Sequence, residues 1–138
     1  MDALGIDIGS ISLKAVVLAD DGAVRFETWR RTTGRPLEAA AAVLADAVRA
    51  LGGDTAVGAA AITGSGKGLL AGPLDARAVN EIVAHGTAAW TLHPGVQGIV
   101  EIGGQDSKFI RVERDGDGRP FVGEHAFNEL CAAGTGAF

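Results

Sequence analysis

The sequence predicts an α/β fold in two related parts, ordered strand–strand–strand–helix–strand–helix and then three more strands. Three observations carry this prediction. Short apolar runs alternate with Gly-rich turns, two segments have helical periodicity, and the opening hairpin recurs in altered form 94 residues later.

Leu4–Ile8 is an apolar run that stops at Gly9, and Lys14–Ala19 is a second one. Asp21-Gly22, a tight-turn pair, leads into a third strand at Val24–Trp29. Gly34-Arg35-Pro36 then opens a helix, with proline suited to the first turn. Along it Ala40, Val43, Leu44, Ala47, Val48 and Leu51 recur at steps of three and four, and Gly52-Gly53 stops it. A small-residue strand, Ala56–Ile62, precedes the polar loop Thr63–Gly68. The spacing predicts a second helix over Val79–Leu92, with Val79, Ile82, Val83 and Trp90 on its apolar side and Pro94-Gly95 beyond it. Gly98–Ile102 is the next strand, and Lys108–Glu113 and Arg119–Glu124 form a hairpin around Asp115–Gly118. The expected division is 1–95 for the first part and 96–138 for an incomplete second part.

Composition narrows the function. With 138 residues, 47% hydrophobic and 21% charged, the chain suits a folded globular domain. A net charge of −5 and no Lys/Arg run leave no electrostatic footprint for nucleic acid. No apolar stretch reaches the length of a membrane span and no secretory leader opens the chain, so a cytoplasmic location is expected. The single cysteine, Cys131, excludes an intrachain disulfide. The 21 glycines are about twice the usual share and gather in loops after apolar runs, where backbone can approach a ligand.

The internal repeat is the most informative feature. Asp7-Ile8-Gly9-Ser10-Ile11-Ser12-Leu13-Lys14 aligns with Glu101-Ile102-Gly103-Gly104-Gln105-Asp106-Ser107-Lys108, so that acid, isoleucine, glycine and lysine recur in register. The same register sets Asp21-Gly22 on Asp115-Gly116 and Arg25 on Arg119. In each copy a glycine after the strand admits a phosphate to the backbone, N–H groups with hydroxyls or lysine complete a cradle, and the acid is placed to hold Mg²⁺ directly or through water. Two such turns facing each other would clamp one nucleotide polyphosphate. Gly66-Lys67 is no P-loop, because Ala61 stands where the motif needs glycine and Gly68 where it needs Ser or Thr. A dinucleotide fingerprint at Gly66-x-Gly68-x-x-Ala71 lacks its acid, and the loop reads either as a plain β-to-α connection or as part of a cleft or partner surface. His85 and His93 read as packing or capping residues, with no carboxylate at metal-ligand spacing.

Together these residues resemble the BadF/BadG/BcrA/BcrD family, the activator ATPases of 2-hydroxyacyl-CoA dehydratases and the ATPase subunits of benzoyl-CoA reductases, within the actin, sugar-kinase and Hsp70 superfamily. The matching stretches are Gly5–Ser10, Thr63–Gly66, Asn80–His85, Glu101–Lys108 and Asn128–Gly136, spread over the whole chain. Cys131-Ala132-Ala133-Gly134-Thr135-Gly136 is the most specific of them. The resemblance implies a ribonuclease-H-like, actin-like ATPase fold with ATP or ADP and Mg²⁺ in a cleft. It also implies a homodimer that shares one [4Fe-4S] cluster and passes an electron to an acyl-CoA dehydratase or reductase. Asp7, Gly9, Ser10, Ser12 and Lys14 map to the first phosphate hairpin, with Asp7 on Mg²⁺ through water. Gly103, Gly104, Gln105 and Lys108 map to the second. Glu101, where relatives commonly have aspartate, and Gln105 are the candidates for orienting the attacking or metal-bound water. Cys131 maps to the cluster ligand, and a helix N-terminus there would favour its thiolate.

The chain is expected to be an N-terminal piece. A [4Fe-4S] cluster takes four thiolates and two copies of Cys131 supply two, so this piece alone is expected to lack a stable cluster and robust ATPase activity. Two other readings stay open: a sugar or amino-sugar kinase with Asp106 or Glu101 as base, and a non-enzymatic actin- or Hsp70-like module regulated by nucleotide.

Overall fold

The computed structural model describes residues 1–53, 57–103 and 106–128. By internal contacts the chain forms two compact units, Met1–Val79 and Asn80–Phe138. The contact division thus falls earlier than the division after residue 95 read from the sequence. The reason is that the second helix packs on the last two strands.

The first unit begins with β1 (Asp2–Ile8), β2 (Ser12–Leu18) and β3 (Val24–Arg31), continues with helix α1 (Pro36–Ala50) and ends with β4 (Val57–Thr63) and the short β5 (Arg77–Ala78). They form one sheet in the order β3-β2-β1-β4-β5, with β1, β2 and β3 antiparallel and β4 parallel to both β1 and β5. Alternation sets the faces. Ile6 and Ile8 of β1 and Leu13, Ala15 and Val17 of β2 are buried, and with Ala40 and Val43 of α1, Ile62 and Leu70 most of them close the core. The β1–β2 register brings Ile8 opposite Leu13 and Ile6 opposite Ala15, so the buried set shares one face. Helix α1 buries Ala39, Ala40, Val43 and Ala47, while Val48, expected on the apolar stripe, is exposed. Gly52 and Gly53, with φ of 83° and 109°, end it in a conformation that glycine adopts at little steric cost.

In the second unit, α2 (Glu81–Leu92) accompanies an antiparallel sheet of β6 (Gly98–Ile102), β7 (Ser107–Arg114) and β8 (Pro120–Asn128), in that order. Asn80 caps α2, its side-chain oxygen accepting from the Ile82 N–H at 2.9 Å. That cap starts the helix two residues later than the expected Val79. Of the expected apolar stripe, Ile82 is buried, Val79 and Trp90 are half-buried and Val83 is exposed, and Gly86 completes the buried face. A Cβ on Gly86 would stand 2.6 Å from Val122 Cγ2 of β8, so the missing side chain lets helix and strand close up. No described helix is long and apolar enough to cross a membrane.

Candidate functional site

The two hairpin turns are built alike. In the first, Asp7 pairs in register with Lys14 and the Gly9 N–H donates to the Ser12 carbonyl at 2.9 Å. In the second, Glu101 pairs with Lys108 and the Gly103 N–H donates to the Asp106 carbonyl at 2.9 Å. Both glycines are crowded: a Cβ on Gly9 would lie 3.1 Å from the Ser12 carbonyl oxygen, and one on Gly103 3.2 Å from that of Asp106. The repeat seen in the sequence is therefore a repeat of hydrogen bonds.

It slips beyond the turns. The far ends of the hairpins also match, each closed by a five-residue turn: Ala19 N–H to the Ala23 carbonyl with Gly22 at φ 82°, and Asp115 N–H to the Arg119 carbonyl with Gly118 at φ 78°. Gly22 thus corresponds to Gly118 rather than Gly116, and Ala23 rather than Arg25 to Arg119. β7 is longer than β2, and each pair carries a register shift, at Val17/Leu18 and at Ile110/Val112.

The surroundings of the two lysines differ. Lys14 is half exposed and bonds one carboxylate, Asp7 Oδ2, at 3.0 Å. Lys108 is only 5% exposed, and its ammonium donates to Asp106 Oδ1 at 2.8 Å, Glu101 Oε2 at 2.9 Å and Glu81 Oε1 at 3.4 Å. Burial alone would lower its pKa. The hydrogen bonds to Asp106 and Glu101, with the charges of Glu81 and Glu101, overcome that and hold it well above the ordinary lysine value.

Glu81, which sequence reasoning did not single out, comes from the first turn of α2. With His85 one turn on and Glu101 of β6 it places three possible ligand atoms within 4.8 Å of one another. This corrects the expectation that His85 has no carboxylate at ligand spacing: Glu81 stands four residues before it, with Oε1 3.7 Å from His85 Nε2. The Lys108 ammonium already serves two of these three groups.

Around the first turn, the Thr63–Gly66 loop turns out to lie against it. β4 runs parallel to β1 with Thr63 opposite Asp7, and the Gly66 N–H donates to the Ile8 carbonyl at 2.9 Å. Gly64 has φ 88°, and a Cβ there would strike the Ile8 carbonyl oxygen and lie 2.5 Å from Asp7 Oδ1. A single 3₁₀ turn, Lys67–Leu69, follows where the sequence reading had only loop. Thr32, directly after β3, also holds the turn: its N–H donates to the Ile11 carbonyl at 2.9 Å and its Oγ1 to the Ser10 carbonyl at 3.0 Å. Among the described residues, the Ser10 and Ile11 N–H groups have no protein acceptor. They are free donors on a Gly–Ser turn, the chemistry that an anion needs.

Asp7, Gly9, Ser10, Ser12 and Lys14 thus gather at one turn, and Glu101, Gly103 and Lys108 at the other. Gly104, Gln105 and Cys131 lie outside the described residues. Asp7 offers a hard carboxylate oxygen suited to Mg²⁺, although Lys14 now shares it.

The BadF/BadG/BcrA/BcrD ATPase family profile matches residues 4–138. The activator of lactoyl-CoA dehydratase from Anaerotignum propionicum is 36% identical over 140 residues, covering 100% of this chain and 51% of that protein. The crystal structure of (R)-2-hydroxyglutaryl-CoA dehydratase component A from Acidaminococcus fermentans superposes with a TM-score of 0.83 at 28% identity, over 99% of this chain and 51% of that one. The activator of 2-hydroxyisocaproyl-CoA dehydratase from Clostridium difficile, solved with bound ADPNP, gives 0.82 at 27% identity, over 99% and 49%. The chain spans about half the length of the curated relatives it matches.

Proposed function

The chain belongs to the BadF/BadG/BcrA/BcrD ATPase family, and on that premise we propose that it is the ATP-binding part of an ATPase that drives electrons to an acyl-CoA dehydratase or reductase. One observation carries the reading beyond family membership: two turns with the same glycine hydrogen bond and the same acid–lysine register, the first with free backbone donors. Each turn is built to take phosphate oxygens. Ser10 and Ile11 donate their N–H groups, Ser12 its hydroxyl, and Asp7 exchanges Lys14 for the water shell of Mg²⁺. At the second turn Gly103, Gly104 and Gln105 approach phosphate, Lys108 holds the Glu101 carboxylate in place, and Glu101 or Gln105 orients the attacking water.

Cys131 of each copy supplies one thiolate to a [4Fe-4S] cluster shared in a homodimer, with the other pair drawn from sequence outside these residues. The cluster, when bound, supplies a one-electron centre of low potential. Hydrolysis in the cytoplasm then powers transfer to the partner enzyme. The activators named above support this reading, since they serve 2-hydroxyacyl-CoA dehydratases.

The test uses the full-length protein, handled anaerobically with a reductant. An EPR signal from a four-iron centre that changes on adding ATP and Mg²⁺ is expected, and Asp7→Asn should weaken Mg·ADPNP binding about tenfold by calorimetry. Phosphoryl transfer to a sugar by iron-free protein would overturn the electron-transfer reading in favour of the kinase one.

A further inference from the structure

We propose that Thr32 is a positioning residue for the first phosphate-binding turn, fixing which way its peptide groups face; the inference rests on the nucleotide-binding reading above. A trans peptide directs its C=O and the N–H that follows to opposite edges. Thr32 takes two consecutive carbonyls of the turn, Ser10 through its Oγ1 at 3.0 Å and Ile11 through its backbone N–H at 2.9 Å. With both carbonyls held toward Thr32, the N–H groups of Ile11 and Ser12, on the opposite edges of those peptides, are turned away from it. The Ile11 N–H is one of the two donors without a protein acceptor among the described residues.

The rest of the environment points the same way. Thr32 is 2% exposed, while Arg31 and Thr33 on either side are exposed. A buried strand-end position of this size suits valine if packing is all that matters. A hydroxyl there is justified by the carbonyl it satisfies. The third polar group of Thr32 is also engaged, its carbonyl accepting from the Arg35 N–H at 2.8 Å directly before α1. Thr33 and Gly34 follow with φ of 47° and 76°, a bend that lets the chain leave β3 and enter the helix immediately after the brace. Thr32 therefore ties the turn to the start of α1. Without its hydroxyl, the Ser10–Ile11 peptide is free to rotate and the donor array is no longer set before the ligand arrives.

The experiment compares Thr32→Val, which keeps the shape and the backbone bond, with Thr32→Ser, which keeps the hydroxyl, in the full-length protein. Mg·ADPNP affinity is measured by calorimetry, and folding is checked by thermal unfolding. Thr32→Val is expected to bind about tenfold more weakly and Thr32→Ser within about threefold of wild type. A readout that needs no variant is amide exchange in wild type, where Mg·ADPNP should slow exchange at Ile11. Unchanged affinity in Thr32→Val, equal losses in both variants, or no protection of Ile11 overturns the role of Thr32. Wild type that binds no nucleotide overturns the functional reading with it.

Discussion

Replacing Lys108 with methionine removes one charge from a group of four. Among the described residues the ammonium is the lysine or arginine cation that meets Glu81, Glu101 and Asp106, at 3.4, 2.9 and 2.8 Å. Breaking a fully buried pair by deleting one partner costs about 3–5 kcal/mol. Here only part of that applies, because the Glu101 side chain is 16% exposed but those of Glu81 and Asp106 are 31% and 44% exposed and remain partly solvated. The expected loss is therefore about 2–3 kcal/mol near pH 7. The sign of the pH dependence follows from the raised lysine pKa. In wild type the stabilisation is fully present below the unfolded value of about 10.4 and fades only as pH rises through the higher folded value, so Lys108 itself adds no slope from pH 5 to 9. In Lys108→Met three carboxylates are left without the cation they share. Urea unfolding followed at Trp90, in a Trp29→Phe background so that the signal reports the second unit, measures the deficit. A deficit below about 1 kcal/mol at pH 7.5, or one that changes between pH 7 and 9, would refute the caged-ammonium account.

Two further substitutions probe the turns. Gly64→Ala forces a Cβ onto the Ile8 carbonyl and a side chain into φ 88°, and should cost at least about 2 kcal/mol, whereas Gly68→Ala, with nothing within 4 Å, should change stability by under about 0.5 kcal/mol, both read by urea unfolding followed at Trp29 of the first unit in a Trp90→Phe background. Asp115→Ala removes the acceptor for the Asp117 and Arg119 N–H groups, at 3.0 and 2.8 Å, and should cost about 1 kcal/mol with faster amide exchange confined to the β7–β8 turn.

Much of the fold was legible because its elements rest on short-range patterns. Alternation in Ile6–Ile8 and Leu13–Val17, the three-and-four spacing of α1 and the Gly52-Gly53 stop each report a local cause that the tertiary structure leaves in place. What escaped depends on partners far away in sequence. β5 has two residues and forms because β4 offers an edge at Ala61 and Ile62. Gly86 carries no hydrophobicity to register in a helical stripe, yet it decides how closely α2 meets β8. The acid–Gly–lysine repeat was visible because identical residues recur, but the slip from Gly116 to Gly118 comes from strand length, which residue identity alone does not mark. Glu81 had a motif around it and no assigned task until folding brought it to Lys108. Thr32 was likewise silent, since a threonine ending a strand is ordinary and only the Ser10 carbonyl makes it specific.

The unlike settings of Lys14 and Lys108 show that a shared bonding skeleton does not dictate a shared electrostatic role. The glycine contact shapes each turn, while the company kept by the lysine is set by the elements packed around it. One turn therefore carries a loosely tethered cation able to trade partners, and the other a cation locked into its own counter-charge.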